Sequence, residues 1–259
     1  AVSMARASGC GSLKEFRTPQ RAEAGYTLVL PGIEGRSVWN TNIVKGLADG
    51  GVPSAIEVYD WTVGPFLFPV NLRDIERNRR EARRIAAKIV QYQDANPGKP
   101  VHLVGHSGGG GMAVLTLEAL PPNRRITGAI LLAAAISPDY DLSRALKRTD
   151  AGIWNFYSPY DMGFLVAGTT VMGAIDGKHG KAAGAVGFVR PWGLSEQDRA
   201  LYRTRLHQQR YSHDMVSSGH AGGHFGWADR TFVAKWLAPL VYSQIDTRTR
   251  YAADEAAPQ

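Results

Sequence analysis

The chain has 259 residues, 44% hydrophobic and 20% charged, with one cysteine and a net charge of +7. That is enough length to bury a core, and an ordinary soluble composition. No apolar run reaches the roughly 18–20 residues of a membrane span, and a lone Cys10 excludes both an internal disulfide and a cysteine zinc cluster. Much of the positive charge lies between Arg73 and Lys88, where it reads as the solvated face of one helix. No nucleic-acid-binding motif accompanies it, so no nucleic-acid partner is expected.

Residues 1–24 are rich in Ser, Gly, Arg and Ala without period, and read as a flexible leader. Within it, Ala7-Ser8-Gly9-Cys10 weakly resembles the end of a bacterial lipoprotein signal. The apolar segment and the usual leucine before the cysteine are missing, which favours a plain leader over a lipid anchor. Secretion or lipid anchoring through Cys10 therefore stands as the weaker alternative to a cytoplasmic protein.

Residues 26–30 form an apolar strand that runs into the loop Pro31-Gly32-Ile33-Glu34-Gly35. A helix over 38–48 stops at Asp49-Gly50-Gly51, and a second strand covers 54–61. The clearest helix spans 71–94, with Leu72, Ile75, Ala82, Ile85, Ala86 and Ile89 at helical spacing. Then follow a strand over 101–106, a helix over 109–120, a strand over 126–135, a short helix over 141–147 and a strand over 153–157. Residues 162–200 lose this rhythm and read as a loop-rich insertion, a candidate lid or pocket wall. A last strand at 206–211, with His213 in or near it, precedes an amphipathic helix over 229–241. The tail 246–259 is polar, which leaves one domain over 25–245. Alternating strands and helices predict an α/β fold, a mainly parallel sheet with helices on both faces. In such sheets reactive groups collect beyond the carboxyl ends of the strands.

One motif lies at such an end. Gly105-His106-Ser107-Gly108-Gly109 fits G-x-S-x-G between a strand and a helix. The turn must be tight, and Gly105 and Gly109 remove side chains that would strike its other arm. A serine hydroxyl needs a base, and the base needs an acid to fix its tautomer. His224, in the glycine-rich loop before the last helix, is the preferred base, with His220 as its rival. Asp161, just past the strand 153–157, is the preferred acid, with Asp139 and Asp141 as alternatives. His106 adjoins the serine, but its side chain is expected to point elsewhere. The spacing of His213, His220 and His224 matches no defensible zinc pattern, so neither metal nor cofactor is expected. The Gly108 N–H and an N–H of the loop 31–35, that of Ile33, would complete an oxyanion hole.

On these residues the chain resembles the α/β-hydrolase superfamily, and within it bacterial lipase- or esterase-like serine hydrolases. The resemblance rests on Leu30-Pro31-Gly32-Ile33-Glu34-Gly35, the serine motif, Tyr157-Ser158-Pro159-Tyr160-Asp161, and Gly223-His224, and covers about 26–241. It implies Ser107 as nucleophile, His224 as base, Asp161 as acid, and Ile33 with Gly108 as oxyanion donors. The expected substrate is a small-molecule or lipid ester. The same residues would equally serve a thioesterase, peptidase or acyltransferase, and a non-catalytic binding module of this fold is the alternative from outside enzymology. Two departures stand out. Pro31-Gly32 replaces the His-Gly of many lipases, and the stretch from Asp161 to the last strand is longer than a single crossover helix needs, which leaves room for a lid or pocket wall or for an acid elsewhere. The superfamily's first strands are also not evident, which predicts a sheet short at its N-terminal edge.

Overall fold

The computed structural model describes residues 13–64, 68–161 and 174–243. Six strands form one sheet: β1 (Tyr26–Leu30), β2 (Ala55–Val58), β3 (Val101–His106), β4 (Ile126–Leu132), β5 (Thr149–Tyr157) and β6 (Leu206–Arg210). Their spatial order is β2-β1-β3-β4-β5-β6, and every pairing is parallel. Among the described residues the sheet consists of these parallel strands alone.

β1, β3 and β4 are buried along their whole length because both faces of the sheet are covered. Side-chain alternation then divides the core in two. Leu28, Leu30 and Leu103 face one layer, with Ala82, Ile85 and Ile89 of helix α4 (Ile75–Ala95) and Met112 and Leu117 of α5 (Gly108–Ala119). Val29, Val104, Ile130 and Leu132 face the other, with Ile43, Val44 and Leu47 of α2 (Val38–Asp49) and Phe232, Val233 and Leu237 of the final helix. Each fully buried Ile or Leu contributes about 1.5–3 kcal/mol.

This topology locates the site. β1 has β2 on one side and β3 on the other. The crossovers that leave β1 and β3 run to opposite faces, α2 to one and α5 to the other, which opens a crevice where these two strands end. Among the described residues no helix is long and apolar enough to cross a membrane.

Several expectations change. Residues 13–24 are not loose: a 3₁₀ turn Leu13–Arg17 leads into helix α1, Pro19–Ala24, capped by Thr18. The Arg21 guanidinium donates to Ser54 O at 3.0 Å and Val52 O at 2.6 Å, and Tyr92 Oη donates to Ala22 O at 2.6 Å. Those ties are polar and distant in sequence, so hydrophobic periodicity did not reveal them. The rest of the leader, with Cys10, lies outside the described residues, as do the tail and residues 162–173 of the insertion. The long helix is divided into α3 (Phe68–Arg73) and α4, because Asp74 caps α4 by accepting the Arg77 N–H at 2.9 Å. The expected strand 54–61 shortens to Ala55–Val58, and 126–135 ends at Leu132, where Ala133 turns to φ 49°. His213 opens a 3₁₀ segment, His213–Ser218, rather than joining the last strand. Beyond 173 the insertion holds a short helix, Ala183–Val186, whose entry lies on the end of β4: Ala183 N donates to Ile136 O and Gly184 N to Ala134 O. The helix Glu196–Arg205 then leads directly into β6.

Candidate active site

Ser107 stands between β3 and α5 with φ 55° and ψ −119°, a backbone region that L-residues avoid. Holding a residue there costs about 1–3 kcal/mol. Three backbone bonds hold it: Ser107 N donates to Leu132 O at 2.8 Å, and Ser107 O accepts from Ala135 N at 2.9 Å and Gly110 N at 3.0 Å. A Cβ on Gly105 would lie 2.3 Å from Gly109 O, so this glycine clears the opposite arm of the turn as expected. Gly109 serves a different approach. Its Cβ would lie 2.1 Å from Leu30 O and 2.4 Å from Pro31 O, so it lets α5 press onto the end of β1. The same contact brings the elbow beside the loop 31–35.

His224 and Asp161 meet on this edge. Nδ1 of His224 is 2.7 Å from Oδ2 of Asp161, and the two side chains are 3% and 1% exposed. Asp161 ends the 3₁₀ turn Pro159–Asp161 that follows β5. That turn is tied to the histidine loop by Ser158 Oγ, which donates to Gly222 O at 2.7 Å. His106 takes part too. Its Nε2–H donates to His224 O at 3.1 Å, and the two imidazole rings lie 4.8 Å apart. The residue before the serine thus holds the backbone of His224.

Burial sets the electrostatics. It lowers His224 to about 4, and lowers His106, which also feels the neighbouring His224, to about 4. Both rings are therefore neutral at neutral pH. Burial also pushes the Asp161 carboxyl up to about 7, and the nearby His106 opposes that rise. The pairing assigns the imidazole proton to Nδ1, which makes Nε2 the basic nitrogen of the ring.

The competing residues are engaged elsewhere. His220 is fully buried, accepts the Gly222 N–H on Nδ1 at 3.0 Å, and packs on Trp227, Tyr211 and Phe232 with ring centroids 4.0, 4.9 and 5.0 Å away. Asp139 pairs with Lys178 at 2.8 Å, and Asp141 accepts the Ser143 N–H at 2.9 Å.

The oxyanion candidates face each other. A Cβ on Gly108 would lie 2.8 Å from Ile33 Cγ2 and 3.5 Å from Ile33 N. Gly108 is the first residue of α5, so its N–H has no partner within the helix. Three side chains of this region were missed as contributors. They are His106, Trp61, whose indole N–H donates to Pro31 O at 2.8 Å, and Asn71, whose amide donates to Ile33 O at 3.0 Å. Trp61 and Asn71 belong to no motif, and His106 fills a variable position of one; each acts on a carbonyl far away in sequence. Among the described residues no group of three or more His, Cys, Asp or Glu side chains could hold a metal ion.

No family model matches the chain, and no curated protein matches it in sequence. Solved structures do. The Thermus thermophilus protein TT1662 is 16% identical with a TM-score of 0.51, over 86% of this chain and 89% of that one. A dienelactone hydrolase-like promiscuous phosphotriesterase from metagenomic libraries is 14% identical with a TM-score of 0.48, over 85% and 86%. Esterase B from Lactobacillus rhamnosis is 13% identical with a TM-score of 0.47, over 93% and 81%. With a parallel sheet, helices on both faces and a serine elbow at the end of β3, the chain has the α/β-hydrolase fold.

Proposed function

We propose that this protein is a serine hydrolase that cleaves carboxylic esters, of esterase or lipase type. Its nucleophile is Ser107, its base His224, its acid Asp161, and its oxyanion donors the N–H groups of Ile33 and Gly108. The observation that carries the reading is the buried 2.7 Å bond from His224 to Asp161, on a loop whose His224 carbonyl is held by the neighbour of Ser107.

In the reaction Nε2 of His224 takes the Ser107 Oγ proton as Oγ attacks the ester carbonyl. The carbonyl oxygen becomes an oxyanion, stabilised by the two N–H groups; one such donor is worth about 3–4 kcal/mol of the barrier. The imidazolium, steadied by the Asp161 carboxylate, gives its proton to the departing alkoxide, and an alcohol leaves. Water then attacks the acyl-serine with His224 again as base, and a carboxylic acid is released with Ser107 restored. The cycle requires no cofactor. The substrate is a small-molecule or lipid ester.

The test is Ser107→Ala with short p-nitrophenyl esters. A kcat loss on the order of 10⁶ is expected for a nucleophile of this kind, with the fold retained. A fluorophosphonate probe should label the wild type and not the variant. Unchanged turnover in a clean preparation rejects the reading, and a folded wild type that neither labels nor hydrolyses returns the chain to the binding-module alternative.

A further inference from the structure

Two glycines leave the loop 31–35 with weak conformational preferences of its own, yet an oxyanion donor must be held still. Two buried side chains supply the restraint. Trp61, 1% exposed, donates its indole N–H to Pro31 O at 2.8 Å. Asn71, 0% exposed, donates its amide N–H to Ile33 O at 3.0 Å. The orientation of that amide is determined, because Asn71 Oδ1 accepts the Val63 N–H at 3.0 Å and the nitrogen must then face Ile33.

These bonds bracket one peptide. The Ile33 N–H belongs to the plane between Gly32 and Ile33, and the planes on either side end in Pro31 O and Ile33 O. Tying both carbonyls fixes where this segment runs, and hence the separation of Ile33 N from Gly108. The motion left is a flip of the middle peptide, which would also break the bond from Gly35 N to Gly32 O at 3.1 Å. It would carry β-branched Ile33 to positive φ, which such residues avoid, and Ile33 is not among the positive-φ residues of the structure. The two anchors are themselves joined. Asn78 donates to Asn71 O at 2.9 Å, Arg77 donates to Asn78 Oδ1 at 3.3 Å, and Arg77 also donates to Trp61 O. A closed polar circuit therefore stands behind the loop, and nothing in it is needed for the acid–base chemistry.

We propose that Asn71, with Trp61 as its counterpart, is a positioning residue that holds the Ile33 N–H in the oxyanion site. The inference rests on the reading of Ile33 as an oxyanion donor. Asn71→Asp is the sharpest probe, since it keeps the acceptor for Val63 N and replaces only the donor to Ile33 O. The measurements are kcat and KM on a p-nitrophenyl ester, inhibition by an aryl trifluoromethyl ketone, whose adduct with serine carries the same oxyanion, and a thermal melt. The expected result is a fall in kcat of about 10- to 100-fold, an equal weakening of the ketone, and KM within about threefold of wild type. Trp61→Phe, which removes the other donor and keeps an aromatic ring, should give the same pattern and stands in if Asn71→Asp does not fold. Loss confined to melting temperature or to KM, or kcat and ketone binding equal to wild type, overturns the inference. Ser107→Ala separates the two claims. If it retains turnover, the hydrolase reading fails and this inference with it; if it is inert while the loop variants behave as wild type, this inference alone fails.

Discussion

Replacing Asp161 by asparagine probes the base–acid pair without changing its shape. In the protein Oδ2 accepts the Nδ1–H of His224 at 2.7 Å, and Oδ1 is buried without a partner among the described residues. Asparagine can enter in two orientations. With its oxygen toward Nδ1, the NH₂ group occupies the Oδ1 position and goes unsatisfied, at about 1–3 kcal/mol. With its NH₂ toward Nδ1, only a carbonyl oxygen is left unpaired, as Oδ1 is now. The second orientation wins, and it forces the imidazole proton onto Nε2. A ring protonated there cannot take a proton from Ser107. The expected loss in kcat is about 10⁴-fold, or about 5 kcal/mol of barrier, with KM little changed. Stability should hold, because a buried ionisable group gives way to a neutral one. The assay is kcat and KM on p-nitrophenyl butyrate, corrected by the Ser107→Ala background, beside a thermal melt. A kcat within tenfold of wild type at unchanged melting temperature would show that this pair does not orient the base.

His220→Gln should leave kcat within about threefold and lower stability by about 2–4 kcal/mol, since it disrupts a buried aromatic cluster; His224→Gln should do the opposite, and the reverse result would reassign the base. Stability should fall on acidification from about pH 6.5 toward 4. His106, His220 and His224 are each lowered to about 4, so in that window the unfolded chain binds protons that the folded chain refuses. Asp161, pushed up to about 7, works in the opposite sense and cancels about one proton of the three, which leaves a slope of at most about 3 kcal/mol per pH unit. Urea midpoints across pH 4.5–7.5 measure it, and a flat profile refutes it. In the same series kcat/KM should decline as the pH falls below about 7, first as Asp161 takes up a proton and at lower pH as His224 does.

What the residues declared on their own was local. Apolar runs alternating with helical stripes prescribe a layered α/β chain, because the periods 2.0 and 3.6 belong to the backbone itself. A serine between Gly105 and Gly109 at a strand end prescribes a tight elbow, since Gly105 has no room for a Cβ against the facing backbone. The candidates Ser107, Asp161 and His224 could be named from their places after β3, β5 and β6. Between two histidines four residues apart, the loop before the last helix favoured His224 but left His220 as a rival. Both sit on small, flexible loop residues, and the outcome turned on Trp227, Tyr211 and Phe232 closing around His220 while Asp161 took His224. The same holds for Asn71, Trp61 and His106. Their bonds to Ile33, Pro31 and His224 span 38, 30 and 118 positions, so they arise only when crossovers are packed, and no local pattern encodes them. Short-range sterics write themselves into neighbouring residues; a hydrogen bond between distant segments exists only once burial has brought the segments together and removed the water that would otherwise satisfy both ends.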